Sequence, residues 1–180
     1  RAGVLIKGGV HLEAPAQLQA IAFDKTGTLT DGKPEVQQVV PLSGHTGEEL
    51  LSRAAALEAM SEHPLAKAIM RRAENEQVSI NGVANFRSVR GKGAEGDIQG
   101  RPFWIGSHRL MHERGGETPE FHQKAEELED AGHSVVAVGN ENHVCGLISI
   151  SDSMRTDLKK IIDSLKASGI KRTVMLTGDN

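Results

Sequence analysis

Ile21-Ala22-Phe23-Asp24-Lys25-Thr26-Gly27-Thr28-Leu29-Thr30 is an apolar run that ends on a carboxylate and passes at once into a small, hydroxyl-rich turn. Open α/β sheets bind their ligands outside the carboxyl ends of the strands. Asp24 stands where such a strand delivers a reactive group. Carboxylates serve as covalent nucleophiles, and the neighbours suit that task. Gly27 admits close backbone approach to a phosphoryl group. Amides of a tight turn form an anion-binding nest. Thr26 and Thr28 add hydroxyls, and Lys25 adds positive charge. On residue types alone, the stretch reads equally well as a strand ending in a solvated Asp-Lys turn.

A second stretch repeats this design. Thr173-Val174-Met175-Leu176 has the pattern of a buried strand and runs into Thr177-Gly178-Asp179-Asn180. The expectation is one parallel sheet holding both strands, with both turns at the same edge. A Thr177 hydroxyl and a Gly178 amide there could hold phosphoryl oxygens as charge develops.

Between the two stretches the pattern changes. Val36 to Val40 reads as a strand after a break at Gly32-Lys33-Pro34. Thr46 and Glu49 form a capping-box signature for a helix from about Glu48 to Met60. Pro64 opens a second helix. Short strands follow over 84–90, 96–100 and 101–105. Helices near Ser107–Glu113 and Pro119–Ala131 come next, then a hairpin around Asn140-Glu141-Asn142. Met154 to Ser168 reads as a further helix, with Leu158, Ile161, Ile162 and Leu165 as its apolar stripe. The order implies an antiparallel α+β domain inserted into an α/β one.

Composition excludes several classes. The chain has 180 residues and a net charge of −3, so nothing favours nucleic acid or an anionic membrane surface. Aromatic residues make up 3% and tyrosine is absent, which leaves no base-stacking platform. The single cysteine, Cys145, forbids an internal disulfide and reads as core within an apolar strand. No run approaches the roughly 18 apolar residues of a membrane helix. The absence of an initial Met and the stop after a strand suggest an excised, soluble piece of a longer protein.

Asp24-Lys25-Thr26-Gly27-Thr28-Leu29-Thr30 matches, without a substitution, the phosphorylation signature of P-type ATPases, ion pumps of the haloacid dehalogenase-like superfamily. The resemblance implies that ATP phosphorylates Asp24. It also implies that Asp24 and Thr26 belong to the Mg2+ site of the phosphorylation domain. Related phosphatases carry an acid/base aspartate two residues after the nucleophile. Thr26 occupies that position here, which implies a phosphoenzyme that persists. By the same resemblance Thr177 and Gly178 contact the phosphoryl group, and Asp179 shapes the site near nucleotide and magnesium. Asp152 matches the family's hinge aspartate; by residue type alone it is equally a cap for the next helix.

Ser61-Glu62-His63-Pro64-Leu65 is similar to the nucleotide-binding signature of the heavy-metal-transporting subclass. The resemblance places His63 against adenine and Glu58, five residues earlier, on the ring. Gly91-Lys92-Gly93-Ala94-Glu95-Gly96 fits G-x-G-x-x-G, but it lies between short strands rather than in a βαβ unit. It is therefore no dinucleotide fingerprint. By residue type it is a glycine-rich hairpin; the resemblance assigns Gly91 and Gly93 to backbone contact with adenosine or phosphate. Gly106-Ser107 stands where many relatives have Gly-Asn, and serine has the shorter reach.

The implied architecture is an incomplete haloacid dehalogenase-like phosphorylation domain (20–35 and 148–180) with an inserted nucleotide-binding domain (36–147), after a lead-in over 1–19. The implied partners are ATP or ADP, Mg2+, and the actuator domain, membrane helices and remaining phosphorylation domain of the same pump. The implied location is the cytoplasmic face of a membrane. The transported cation would bind outside this chain. Ala22-Phe23-Asp24 and Gly169-Ile170-Lys171 lean toward the zinc, cadmium and lead group over copper. A stand-alone phosphatase and a regulatory nucleotide-binding module are the rivals.

The remaining histidines give no site on spacing. His108 and His112 stand at i, i+4, but no third ligand is evident in the sequence. His11, His45, His122, His133 and His143 read as scattered surface residues.

Overall fold

The computed structural model describes residues 5–115 and 118–176. The chain divides into two compact units, one of residues 1–32 with 153–180 and one of residues 33–152.

In the first unit, a short helix α1 (Val10–Glu13) and a 3-10 turn (Ala14–Gln17) precede strand β1 (Ala20–Asp24). A tight turn over Lys25–Leu29 leads into β2 (Thr30–Pro41). In the second unit follow α2 (Gly47–Glu58), α3 (Pro64–Asn75), β3 (Val83–Val89), β4 (Gly93–Ile98) and β5 (Arg101–Ser107). Then come α4 (His108–Arg114), α5 (Pro119–Asp130), β6 (Ser134–Asn140) and β7 (Val144–Met154). Helix α6 (Leu158–Ala167) and strand β8 (Arg172–Leu176) complete the first unit.

Strands β1 and β8 pair in parallel, with Asp24 opposite Leu176. The expected shared edge is thus present as far as Leu176. Thr177, Gly178, Asp179 and Asn180 lie outside the described residues.

The other sheet runs β2-β7-β6-β5-β4-β3, antiparallel from β7 to β3. Both faces of its central strands β5, β6 and β7 are covered. Alternation along each strand divides the side chains. Phe103, Ile105, Val136, Val138, Ile148 and Ile150 join Leu50, Leu51, Leu57 and Ile69 of α2 and α3 in one buried cluster. Trp104, Val135, Ala137 and Leu147 join Leu110, Met111, Phe121 and Leu128 of α4 and α5 in the other. The capping box starts α2 as the sequence predicts. The Glu49 N–H donates to Thr46 Oγ1 at 3.2 Å, and the Thr46 N–H donates to Glu49 Oε2 at 3.2 Å.

Three expectations need correction. First, the break at Gly32-Lys33-Pro34 does not end the strand, because β2 runs through it. Gly32 absorbs the irregularity at φ 68°. Side chains satisfy the backbone there: the Lys33 N–H donates to Asp152 Oδ1 at 2.9 Å, and Arg71 donates to the Pro34 carbonyl at 2.5 Å. Second, Met154 ends β7 rather than starting a helix, and α6 begins at Leu158 with Asp157 at its N-cap. Asp152 therefore caps no helix; its carboxylate serves Lys33. Third, the strand ending at Leu176 is not buried. Val174, Met175 and Leu176 are 50%, 47% and 56% exposed, and no residue of α6 is buried. Among the described residues, a two-stranded sheet offers too little surface to cover these side chains.

Leu50 is fully buried between α2 and the sheet. Leu50→Ala should lower unfolding free energy by about 2–5 kcal/mol through lost burial and a residual cavity, read as a fall in the denaturant midpoint at unchanged slope.

Candidate functional site

Two places gather the residues singled out above, one in each unit.

In the first unit, β1 delivers Asp24 to an exposed position at its carboxyl end, followed by exposed Thr26, Gly27 and Thr28. Gly27 takes φ 75°, a left-handed conformation that glycine adopts freely, and this lets the turn reverse within five residues. The turn is held from beneath. Thr30 is 1% exposed, and its hydroxyl accepts from the Gly27 N–H at 3.0 Å and donates to the Lys25 carbonyl at 3.1 Å. Arg155 holds the other side. Its N–H donates to the Leu29 carbonyl at 3.0 Å and its Nε to the Thr28 carbonyl at 2.9 Å. Its guanidinium also lies 3.7 Å from Asp31. With those carbonyls and the Gly27 N–H engaged, the exposed hydroxyl-bearing residues Thr26 and Thr28 stand beside the carboxylate. Thr30 and Arg155 are positioning residues that sequence reasoning did not assign. Thr30 stands inside the quoted signature; Arg155 is separated from Thr28 by 127 positions, beyond any local pattern.

In the second unit, Glu58, His63, Gly91, Gly93, Gly106 and Ser107 all line one cleft of ≈ 450 Å³. Glu58 ends α2, and His63 caps α3, its Nδ1 accepting from the Leu65 N–H at 3.3 Å. That bond places the ring proton on Nε2, the nitrogen not engaged in capping. Gly93 and Gly106 face each other across β4 and β5. A Cβ on Gly93 would lie 1.9 Å from the Ile105 carbonyl oxygen and 2.6 Å from the Gly106 Cα, and Gly93 has φ 151°. No larger residue fits that crossing. The Ser107 N–H donates to the Lys92 carbonyl at 3.0 Å, so the Gly91–Gly93 turn is fastened to the end of β5. Phe86 and Leu65 supply apolar wall, and Lys92 lines the rim with its ammonium paired to Glu113 Oε2 at 2.5 Å. The mixture suits a flat ring attached to an anionic tail.

Burial dominates the Glu58 carboxyl and holds its pKa above the ordinary 4.5, against the opposing influence of the Ser61 hydrogen bond and the nearby His63. A larger depression of ≈ 510 Å³ is lined by Glu95, Asp97 and Glu141 together with Arg114. Burial raises the Glu95 carboxyl, but hydrogen bonds from Arg87 and Arg114 outweigh it and keep the group ionised below its ordinary range. Three carboxylates make that depression a poor host for a polyphosphate.

The histidines depart from expectation. His122 is not scattered: it joins His108 and His112, with one ligand atom of each within 4.8 Å of the others. His45, His143 and buried Cys145 form a second group of the same kind. Cys145 does lie in the core.

Residues 18–180 match the family model of the haloacid dehalogenase-like hydrolases, and the chain belongs to that family. Its relatives within the family are P-type ATPases. It is 43% identical to the probable cadmium-transporting ATPase of Staphylococcus aureus (strain MRSA252), over 99% of this chain and 25% of that protein. It is 41% identical to the copper-exporting P-type ATPase B of Archaeoglobus fulgidus, over 100% of this chain and 25% of that protein. The crystal structure of a zinc-transporting PIB-type ATPase in its E2.Pi state superposes with a TM-score of 0.86 at 39% identity, covering 100% of this chain and 29% of the other. The chain thus spans about a quarter of the length of the curated relatives it matches.

The raised Glu58 carboxyl has a consequence for stability. A carboxyl that binds its proton more tightly in the folded state stabilises the fold most below its unfolded pKa, and this contribution is lost as pH rises through the raised value. Glu58→Gln removes the loss. The variant's Tm relative to the parent chain should therefore increase as pH is taken from below 4.5 to neutral, measured by thermal melts across that range. A difference that stays flat or falls would contradict the burial.

Proposed function

We propose that this chain is the ATP-handling region of a heavy-metal-exporting P-type ATPase, with residues 33–152 binding the nucleotide and Asp24 accepting the phosphoryl group. The observation that carries the reading is convergence. Six residues chosen from separate parts of the sequence line a single cleft, and its walls have the chemistry of an adenine nucleotide site.

In this reading the adenine ring lies against His63 and Phe86, and Glu58 accepts a hydrogen bond from its exocyclic amine. The close crossing at Gly93 and Gly106 lets backbone approach the nucleoside, and Lys92 draws the phosphate tail. In phosphoryl transfer an Asp24 carboxylate oxygen attacks the γ-phosphorus. The bond from that phosphorus to the β,γ-bridging oxygen breaks, and ADP leaves with the electron pair. The hydroxyls of Thr26 and Thr28 stabilise charge on the phosphoryl oxygens. Thr177, Gly178 and Asp179 supply the companion turn. Thr26 offers no carboxylate to activate water, so the acyl phosphate persists long enough to drive a conformational cycle.

A magnesium ion suits the oxygen donors present. The exposed Asp24 carboxylate and the Thr26 carbonyl are hard ligands, and Mg2+ commonly takes one or two protein oxygens with water and phosphate filling the rest. When bound, it offsets phosphate charge.

The whole pump's work also belongs to this proposal. It would sit in a membrane with this region on the cytoplasmic side, joined to an actuator domain, membrane helices and the rest of the phosphorylation domain. Among the described residues no helix is long and apolar enough to cross a membrane. Zinc, cadmium or lead is favoured over copper as cargo, supported by the similarity to cadmium- and zinc-transporting relatives. Metal-stimulated ATP hydrolysis by the complete pump tests this; stimulation by copper alone would reverse the assignment.

Isothermal titration of the chain with ATP should give one saturable site with little or no turnover, and no heat at millimolar nucleotide would sink the idea. His63→Ala should weaken binding about tenfold, ~1.4 kcal/mol. Unchanged affinity would reduce His63 to a helix cap.

A further inference from the structure

We infer that His108 and His112 of α4 and His122 of α5 form a zinc-class divalent cation site that fastens these two helices together. The geometry is that of a ligand set. His108 Nε2 and His122 Nδ1 face each other at 3.1 Å. The His108 and His112 rings are stacked at 4.7 Å, and the His112 ring meets His122 edge-on at 5.2 Å. A tetrahedral cation with bonds of ~2.0–2.1 Å to nitrogen holds its ligand atoms ~3.3 Å apart. The remaining closure, on the order of an ångström, lies within the reach of imidazole rotation at exposed His112.

The outer nitrogens supply an independent observation. Metal-bound histidines characteristically donate their second N–H to a carboxylate, which fixes the tautomer and raises ligand basicity. Two of the three rings show this arrangement. His108 Nδ1 lies 3.1 Å from Glu129 Oε2, and His122 Nε2 lies 3.1 Å from Glu126 Oε1. With those nitrogens turned to carboxylates, His108 Nε2 and His122 Nδ1 are the nitrogens that face the shared centre. Three imidazoles without a thiolate suit Zn2+ and its divalent neighbours rather than Mg2+ or a monovalent soft ion. Exposure of His112 leaves a fourth position to water.

The other cluster shares the ring contact, with His45 Nε2 and His143 Nε2 2.8 Å apart and His45 Nδ1 3.3 Å from Glu49 Oε2, but differs in its charge. The Arg53 guanidinium donates to His45 Nδ1 at 3.1 Å, placing a fixed positive charge among the ligands. Burial also keeps the Cys145 thiol above its ordinary pKa, so it does not offer a thiolate readily.

The test is titration of the nucleotide-free chain with Co2+ and then Zn2+. One equivalent of Co2+ should develop the intense visible bands of a tetrahedral nitrogen–oxygen site, without a near-ultraviolet thiolate band, and Zn2+ should displace it. Zn2+ should raise the Tm of the chain. His112→Gln and His122→Gln, at solvent-accessible positions, should each lower Zn2+ affinity at least tenfold and abolish the Tm rise. Glu129→Gln should lower affinity by about tenfold through the lost carboxylate, and His143→Gln should change nothing. Far-ultraviolet circular dichroism confirms that each variant is folded. The inference is overturned if Zn2+ does not bind at micromolar concentration. Binding that ignores both histidine substitutions, or a thiolate band that disappears with His143→Gln, overturns it equally. Because no nucleotide is present, failure here is separate from failure of the ATP reading.

Discussion

A hydrogen bond of 2.9 Å between the Lys33 N–H and the Asp152 carboxylate closes the second unit at its base. A unit inserted into another must bring its two ends together, because the host chain enters and leaves at neighbouring points. Here β2 and β7 are adjacent in the sheet, and the carboxylate of one strand satisfies a backbone donor of the other. Everything farther along the sheet is placed by that start. From β7 the strands follow one another back to β3, which sets the crossing of β4 and β5 where the cleft forms.

The cleft depends on absences as much as on groups. Two glycines meet across adjacent strands, and neither backbone leaves room for a side chain. The space so made lies between the end of α2, the cap of α3 and the turn before β4. His63 has two duties there. Its Nδ1 begins a helix, and that engagement determines which nitrogen carries the proton toward the cleft. Glu58 stays partly buried, and the cost of that burial falls on its ionised form. Stability thus favours the protonated form of that carboxyl.

Legibility in the sequence followed the range of the interaction. The capping box, Pro64 at a helix start and the hairpin near Asn140 are local, and each appears where its residues indicate. The parallel pairing of the first and last strands was legible because both end in the same kind of polar turn. What failed was tertiary. The Gly32-Lys33-Pro34 stretch has the composition of a break, yet side chains of Arg71 and Asp152 keep it extended. Val174, Met175 and Leu176 look like core, but burial depends on what covers a strand. His122 gave no signal, since its companions belong to a different helix. The six cleft residues became legible together only through resemblance, because spacing alone cannot show that Glu58 and Gly93 share a wall.

The pairing of β1 with β8 also governs the order of events during synthesis. Residues 33–152 form one unbroken segment with all its sheet partners inside it or beside it, so it can fold while the ribosome is still working. Strand β1 emerges before that segment, and among the described residues its sheet partner is β8, which is made after it. Until then its backbone edge is open, a hazard that unpaired strands carry in any crowded solution. The turn that carries Asp24 is therefore made before that segment and reaches its final setting after it.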